Sequence, residues 1–212
     1  GFSMNAAELA EDMQGQTMNW LKTQPSKLDA VVTGSFIAKD NGCYFNRLVW
    51  MRPDGQFERY DKRHRFTLAG EHETYTAGDK KLVAEWKGWK ICPLICYDLR
   101  FPVWSRNAEG YDLLVYVANW PETRNHHWKQ LLIARAIENQ AYVAGVNRSG
   151  TDGKGHAYSG DTTVIDFPGS TLHRASGEEG IFTVSLSLAR LHAFREKLQF
   201  LADMDKFKIF NS

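Results

Sequence analysis

The run of residues 112–118 constrains the fold of this chain more than any other feature of the sequence. From Leu113 to Ala118 it is continuously apolar. A short apolar run without polar alternation is typical of a strand covered on both faces. Residues 127–139 then carry apolar side chains at helical spacing, and residues 141–146 predict a second buried strand. This order of strand, helix and strand indicates an α/β protein.

Period-two segments on both sides of this centre predict hairpins, so the sheet is expected to be mixed. Residues 31–37 and 43–50 alternate around the turn Asp40-Asn41-Gly42, which favours an antiparallel pair. The polar residues 62–78 predict an irregular loop. Further strands are predicted at residues 56–60, 82–86, 89–96, 158–166, 171–174 and 181–184.

Helices are predicted near both ends of the chain. Asn5 and Glu8 have the spacing of a capping box, and the helical pattern that follows should end before Pro25. Ser187 is expected to cap a last helix. Because there is no linker, tandem repeat or low-complexity segment, residues 1–212 are expected to form a single domain.

Composition excludes several function classes. The 212 residues include 26 Lys+Arg and 25 Asp+Glu, a net charge of +1, which argues against a nucleic-acid or anionic membrane partner. The sequence shows neither an apolar run long enough to span a bilayer nor a secretory signal. Three cysteines are too few for a disulfide scaffold. The expectation is a soluble, reduced, cytoplasmic protein.

Cys96 is the first candidate for chemistry because it ends a predicted strand and precedes a polar turn. Backbone N–H groups at such a strand end can favour a thiolate and an adjacent oxyanion. The alternative for any cysteine is a buried structural thiol, and Cys92 and Cys43 fit that alternative well.

A metal site is a weaker alternative. Cys92 and Cys96 lie on one face of the predicted strand, but about 13 Å apart along it. One zinc ion cannot reach both, because each Zn–S bond is only about 2.3 Å long. Further ligands could come from His64, His72, His126 and His127, but no metal is expected.

The loop after the third predicted strand carries Lys62 and, further on, Glu71. A nucleophilic thiol needs a group that takes its proton and a group that stabilises the oxyanion. A lysine beside carboxylates stays charged and can donate to an oxyanion, and a buried carboxylate can act as a base. The alternative is that both residues are solvated loop charges.

These residues together resemble the nitrilase, or carbon–nitrogen hydrolase, superfamily. The motifs run in the same order as in that superfamily and span nearly the whole chain. They are Tyr-Asp-Lys-Arg-His-x-Phe around Lys62, Gly70-Glu71-His72, Ile-Cys-Tyr-Asp-Leu-Arg-Phe-Pro around Cys96, Asn119-Trp120-Pro121, the run Ala-Arg-Ala-Ile-Glu-Asn-Gln at 134–140, Asn147-Arg148, and Tyr-Ser-Gly-Asp-Thr at 158–162. The details look most similar to the ω-amidases that act on 2-oxoglutaramate.

The resemblance implies a four-layer αββα sandwich that assembles into homodimers or larger homo-oligomers and needs no cofactor. It implies that Cys96 is the nucleophile and that Lys62 and the backbone N–H of Tyr97 stabilise the oxyanion. Glu71 matches a second carboxylate that positions the lysine or the substrate. The implied reaction is hydrolysis of a small ω-amide to acid and ammonia through a thioester.

The substrate contacts are less constrained by the resemblance. A distal carboxylate is best paired by arginine, and Arg100 is the candidate, although it could instead hold its loop through Asp98. Trp120 and Phe66 could form an apolar wall of the pocket, or could simply pack in the core. Together with Tyr97, these are the predicted substrate-binding residues.

One family element has no match in this sequence, the general-base glutamate, which in the family lies shortly before the position of Gly1. Glu8 and Glu11 fall in the predicted first helix and do not match its motif. The expectation is therefore a natural polypeptide longer by roughly 40 residues, with the first strands and the base upstream, and an inactive chain without them.

Two other functions stay open from sequence. One is a general aliphatic or N-carbamoyl amide hydrolase, because selectivity rests on a few pocket contacts. The other is a non-catalytic nitrilase-fold scaffold or inactive fragment, which the unmatched glutamate favours and the intact Lys62 and Cys96 oppose. Labelling of Cys96 by iodoacetamide at neutral pH that is no faster than labelling of a free thiol would favour the scaffold.

Overall fold

Two β-sheets dominate the computed structural model, which describes residues 2–210. Gly1, the first residue of the sequence discussed above, lies outside that range. The strands are β1 Val32–Asp40, β2 Cys43–Met51, β3 Phe57–Asp61, β4 Ala84–Trp86, β5 Trp89–Ile95, β6 Leu113–Ala118, β7 Tyr142–Asn147, β8 Ser149–Thr151, β9 Ala157–Ile165 and β10 Thr171–Ser176. The helices are α1 Ala6–Leu9, α2 Gln16–Leu28, α3 Glu71–Thr74, α4 Pro102–Ser105, α5 Asn125–Asn139 and α6 Leu188–Lys197.

The sheets confirm the predicted mixture of hairpins and parallel strands. β1, β2 and β3 form an antiparallel meander. The second sheet has the order β10-β9-β7-β6-β5-β4, with β8 paired to β9. In it β6 runs parallel to both β5 and β7, while the outer pairs are antiparallel. The apolar run that predicted a covered strand is thus a central strand of the larger sheet.

The side chains of β2 point alternately to the two faces of the three-stranded sheet. One face packs against the helix α2, and the other packs against the larger sheet. Val49 and Met51 pack against Met18 of α2. Trp50 points the other way and packs against Ile91 of β5 and Val115 of β6. On the far face of the larger sheet, buried residues of α5 join the main core cluster. The layers are therefore helix, sheet, sheet and helix, as in the expected αββα arrangement.

The first helical segment differs from its prediction in two ways. α2 continues through Pro25 to Leu28, because Pro25 lies in the last turn and is buried there, so only one backbone hydrogen bond near the helix end is lost. The capping box does not form, since the Asn5 side-chain amide donates to the Glu8 carboxylate and the Asn5 side chain accepts no helix N–H.

Glu11 is not helical, contrary to the prediction. It lies between α1 and α2, where its backbone pairs with the edge strand β1 beside Ala38. Its carboxylate accepts hydrogen bonds from the N–H and the hydroxyl of Thr17, at 2.6 and 2.5 Å. The Glu11 side chain therefore caps the start of α2.

The predicted strand at residues 181–184 is wrong. That segment has no strand partner among residues 2–210, and Ile181 is 99% exposed, so its apolar residues mark no buried strand face. The predicted antiparallel pair of residues 31–37 and 43–50 is confirmed, and β1 is an edge strand whose side chains are mostly half-buried. The Ser187 cap is confirmed: its hydroxyl accepts the Arg190 N–H at the start of α6.

None of the helices within residues 2–210 combines the length and the apolar character that crossing a membrane requires.

Candidate active site

Cys96 lies where β5 ends and a 3₁₀ turn, Cys96–Arg100, begins. Its φ of +43° places a non-glycine residue in the left-handed region, a strained conformation of the kind found at functional sites. The Sγ atom lies 3.9 Å from the carbonyl oxygen of Asn119, which follows β6. The parallel pairing of β5 and β6 therefore brings the thiol and the residues after β6 to one edge of the sheet.

Lys62 and Glu71 form a buried ion pair. The Lys62 Nζ lies 2.6 Å from Glu71 Oε2, and the two side chains are 2% and 0% exposed. The Glu71 carboxylate also accepts the Phe66 N–H at 2.5 Å and the Asn46 side-chain amide at 3.3 Å. The prediction of an irregular polar loop at 62–78 did not include this ion pair. The pair forms because a short helix, α3, starts at Glu71 and directs its carboxylate inward.

A buried carboxylate, Asp98, joins the loop of Lys62 to the turn of Cys96. Its two oxygens accept the Ile95 N–H at 3.1 Å, the Tyr60 hydroxyl at 2.8 Å and the His64 N–H at 3.0 Å. The His64 Nδ1 also lies 2.8 Å from Asp98 Oδ1. Because Ile95 precedes Cys96 and His64 follows Lys62 closely, one side chain fixes the separation of the two segments. Its 0% exposure makes each of these bonds costly to lose.

Replacing Asp98 with asparagine is expected to destabilise the fold by about 3 kcal/mol, because a neutral amide cannot accept all four contacts. Tyr60→Phe removes one donor and should cost only about 1 kcal/mol. Urea unfolding of both variants checks this. Equal stability of the Asp98 variant and the wild type would contradict the role of Asp98 as the link.

A cavity of about 840 Å³ opens above the thiol. Cys96 and Lys62 line it, as do all four predicted substrate-binding residues, Phe66, Tyr97, Arg100 and Trp120. Glu71 is not part of the cavity wall and reaches it only through Lys62. The structure thus brings together residues that are far apart in the sequence.

The alternative role predicted for Arg100 is wrong within the described part of the chain, because Arg100 does not reach Asp98. Its guanidinium lies over the Trp120 ring, 4.8 Å from the centroid, and Nη2 lies 3.0 Å from the His127 Nδ1. The alternatives for Trp120 both hold. It belongs to the core, with 3% exposure, and its edge still lines the cavity.

Burial raises the pKa of the Cys96 thiol above its usual range, and the nearby Lys62 ammonium opposes that shift. The thiol is therefore protonated at neutral pH in the resting protein. Slow iodoacetamide labelling must therefore be interpreted differently from the way the sequence suggested. Slow labelling at pH 7 follows from burial alone and does not favour a non-catalytic scaffold.

Labelling of Cys96 should therefore be slow at pH 7 and should accelerate only at a pH above the usual titration range of a thiol, since only the thiolate reacts. Removing the opposing charge with Lys62→Met should move the midpoint to still higher pH. Peptide mass spectrometry over a pH series measures this, with the exposed Cys43 as the control thiol in the same sample. A Cys96 midpoint below that of Cys43 would contradict the expected direction.

Several polar residues of the site were not assigned by sequence reasoning. Asn46 binds Glu71, and Asn147 fixes the cavity wall by accepting the Trp120 N–H at 2.7 Å and donating to the Trp120 carbonyl at 3.0 Å. Arg124 and Lys154 also line the cavity. Asn147 stood within a recognised motif, whereas Asn46 lies in an ordinary strand pattern and gave no signal.

No metal site emerges among residues 2–210, where no group of three or more His, Cys, Asp or Glu side chains could hold an ion. Of the histidines considered as ligands, His64 binds Asp98, and its ring stacks on Phe101 with centroids 3.7 Å apart. Cys92 is fully buried in the core.

The sequence and the fold are similar to those of known proteins. The family model described as carbon–nitrogen hydrolase matches residues 2–196. The chain is 49% identical to the omega-amidase YafV of Yersinia enterocolitica over 98% of this chain and 81% of the relative. It is 36% identical to the 2-oxoglutaramate amidase of Bacillus subtilis over 95% and 79%. The crystal structure of XC1258 from Xanthomonas campestris, a CN-hydrolase superfamily protein with an arsenic adduct in the active site, superposes with a TM-score of 0.97, at 45% identity over 99% and 82%.

Proposed function

We propose that this carbon–nitrogen hydrolase, which belongs to the family of that name, is an ω-amidase. The proposed reaction converts a small carboxylic ω-amide, of which 2-oxoglutaramate is the leading candidate, to the acid and ammonia. The names of two relatives, an omega-amidase and a 2-oxoglutaramate amidase, support this substrate class.

In the proposed mechanism the Cys96 sulfur attacks the amide carbon. Because burial keeps the thiol protonated at rest, its proton must leave as the C–S bond forms, and it ends on the amide nitrogen, which then becomes a leaving group. The C–N bond then breaks, the nitrogen departs as ammonia, and the acyl group remains on sulfur as a thioester. Water adds to the thioester carbonyl and releases the carboxylic acid, which restores the thiol.

Lys62 and the Tyr97 N–H are assigned to the oxyanion that forms in both steps. The observation that carries the proposal is that the Lys62 ammonium lines the same cavity as the Cys96 thiol while Glu71 holds it from behind. The Glu71 carboxylate holds the Lys62 ammonium in place at 2.6 Å, so stabilising the oxyanion requires little reorganisation. Glu71 is therefore proposed as a positioning residue.

Ammonia release from a panel of amides, measured with the natural polypeptide, tests the proposed function. 2-Oxoglutaramate and succinamate should be hydrolysed with higher kcat/KM than butanamide or an N-carbamoyl amino acid, because only the first two carry a distal carboxylate on an ω-amide. A preference for the N-carbamoyl compound would replace the ω-amidase assignment with that of a carbamoyl amide hydrolase. Failure to release ammonia from any of the four would contradict the proposal.

A further inference from the structure

The wall of the cavity is cationic. Three arginines line it, namely Arg100, Arg124 and Arg148, and none of them forms an ion pair with a carboxylate of the described residues. The acidic residue of the same wall is Asp152, and its carboxylate is already occupied. It accepts the N–H groups of Lys154 and His156 and the Tyr158 hydroxyl, each at 2.9 Å. A guanidinium of this wall is therefore available for an anion from solution.

The three arginines are not equally available. Arg100 places Nη2 3.0 Å from the His127 ring nitrogen and lies over Trp120. Arg148 donates to the Thr151 carbonyl at 3.2 Å and lies over the Tyr158 ring. Both are thus held by a hydrogen bond as well as by a ring.

Arg124 differs from the other two. Its guanidinium lies over the Phe66 ring, 5.6 Å from the centroid, and within residues 2–210 it has neither a side-chain hydrogen bond nor an ion pair. Its backbone is fixed, since its carbonyl accepts the Trp120 indole N–H at 2.8 Å. A guanidinium that rests on a ring face keeps its N–H edges free for a carboxylate, which it can bind with two parallel hydrogen bonds.

Phe66 places this guanidinium close to the reacting groups. The Phe66 N–H binds the Glu71 carboxylate that holds Lys62, and its ring lies 5.0 Å from the ring of Tyr97, the residue after Cys96. Arg124 is thus one side chain away from both halves of the catalytic arrangement. That is the position from which it could reach the far end of a short ω-amide whose amide carbon is at the thiol.

We infer that Arg124 is the specificity-determining residue that pairs with the distal carboxylate of the substrate, in place of the Arg100 expected from sequence. This inference rests on the proposed function and deepens it. The Phe66 ring supports the guanidinium, while Arg100 and Arg148 contribute a favourable field without a direct bond.

The test compares succinamate with butanamide, in which a methyl group replaces the carboxylate on the same carbon chain. Arg124→Gln should lower kcat/KM for succinamate about 100-fold, mainly through KM, and should change the value for butanamide less than about threefold. Arg124→Lys should recover only part of the loss, because an ammonium cannot form the paired bonds. Arg190→Gln, which removes the same charge from an exposed position outside the cavity, is the matched control and should leave both values unchanged.

Two outcomes would overturn the inference. An equal loss for both amides would show that Arg124 only supports the fold of the wall. A larger succinamate-specific loss in Arg100→Gln or Arg148→Gln, with Arg124→Gln near wild type, would assign the carboxylate to that arginine.

A failure of the proposed function is distinguishable from these outcomes. If the wild type released no ammonia from any amide, calorimetric binding of succinamate to Cys96→Ala would still test Arg124. Addition of Arg124→Gln should then weaken that binding by a similar factor. Unchanged binding in the double variant would contradict the inference regardless of turnover.

Discussion

Replacing Cys96 with alanine is expected to lower kcat by on the order of 10⁴-fold or more, to the detection limit of an ammonia assay. The thioester cannot form without the sulfur, and the cavity holds no second thiol, since Cys92 is buried in the core and Cys43 is exposed on the hairpin. Stability should change by less than about 1 kcal/mol, because only the sulfur is removed. Ammonia release and urea unfolding of the same preparation measure both.

The other two cysteines provide the matched controls. Cys43→Ala should leave both activity and stability unchanged. Cys92→Ser should keep kcat but destabilise the fold by about 1–3 kcal/mol, because it buries a hydroxyl in an apolar cluster. Full amidase activity in the Cys96 variant would rule out covalent catalysis by this thiol.

Replacing Lys62 with methionine is expected to lower kcat by on the order of 10²-fold or more, because the oxyanion loses its fixed positive charge. The same substitution is expected to destabilise the fold. The variant leaves the Glu71 carboxylate buried without its counter-ion, which should cost about 3–5 kcal/mol of stability.

A second substitution separates the two effects of Lys62. In Lys62→Met with Glu71→Gln, the buried group is neutral, so most of the lost stability should return while kcat stays low. Urea unfolding and ammonia release of the two single variants and the double variant complete the cycle. If the double variant regained activity together with stability, Lys62 would act only in folding. An effect on KM alone would reassign Lys62 to substrate binding.

The sequence predicted most elements of the fold, because their signals are local. Residues 112–118 became the central strand β6, and the turn at Asp40-Asn41-Gly42 joins β1 to β2. One failure has a local cause, because Pro25 is tolerated in a last helical turn. The other is not local, because the largely apolar residues 181–184 have no strand partner within residues 2–210.

The resemblance of the chain's motifs to a family identified Cys96, Lys62 and Glu71 as candidate site residues. The spacing of these residues in the sequence could not predict which of them are in contact. That Glu71 lies behind Lys62 and outside the cavity follows from the short helix α3 that turns its carboxylate inward. Sequence also offered two roles for Arg100, and the structure shows a third arrangement, over Trp120 and beside His127.

What the sequence determined by itself is the strand and helix pattern, since the backbone geometry repeats at a fixed local period, whereas the proposed reactive side chains came from the resemblance of its motifs to a family. What only the tertiary structure decided is which polar groups share a partner. Asp98 takes donors from Tyr60 and His64, more than thirty positions away, because a buried carboxylate must be satisfied by whatever the packing of the two sheets brings to it. The free guanidinium of Arg124 is decided in the same way, by the ring beneath it and by the absence of a carboxylate within reach in the described part of the chain.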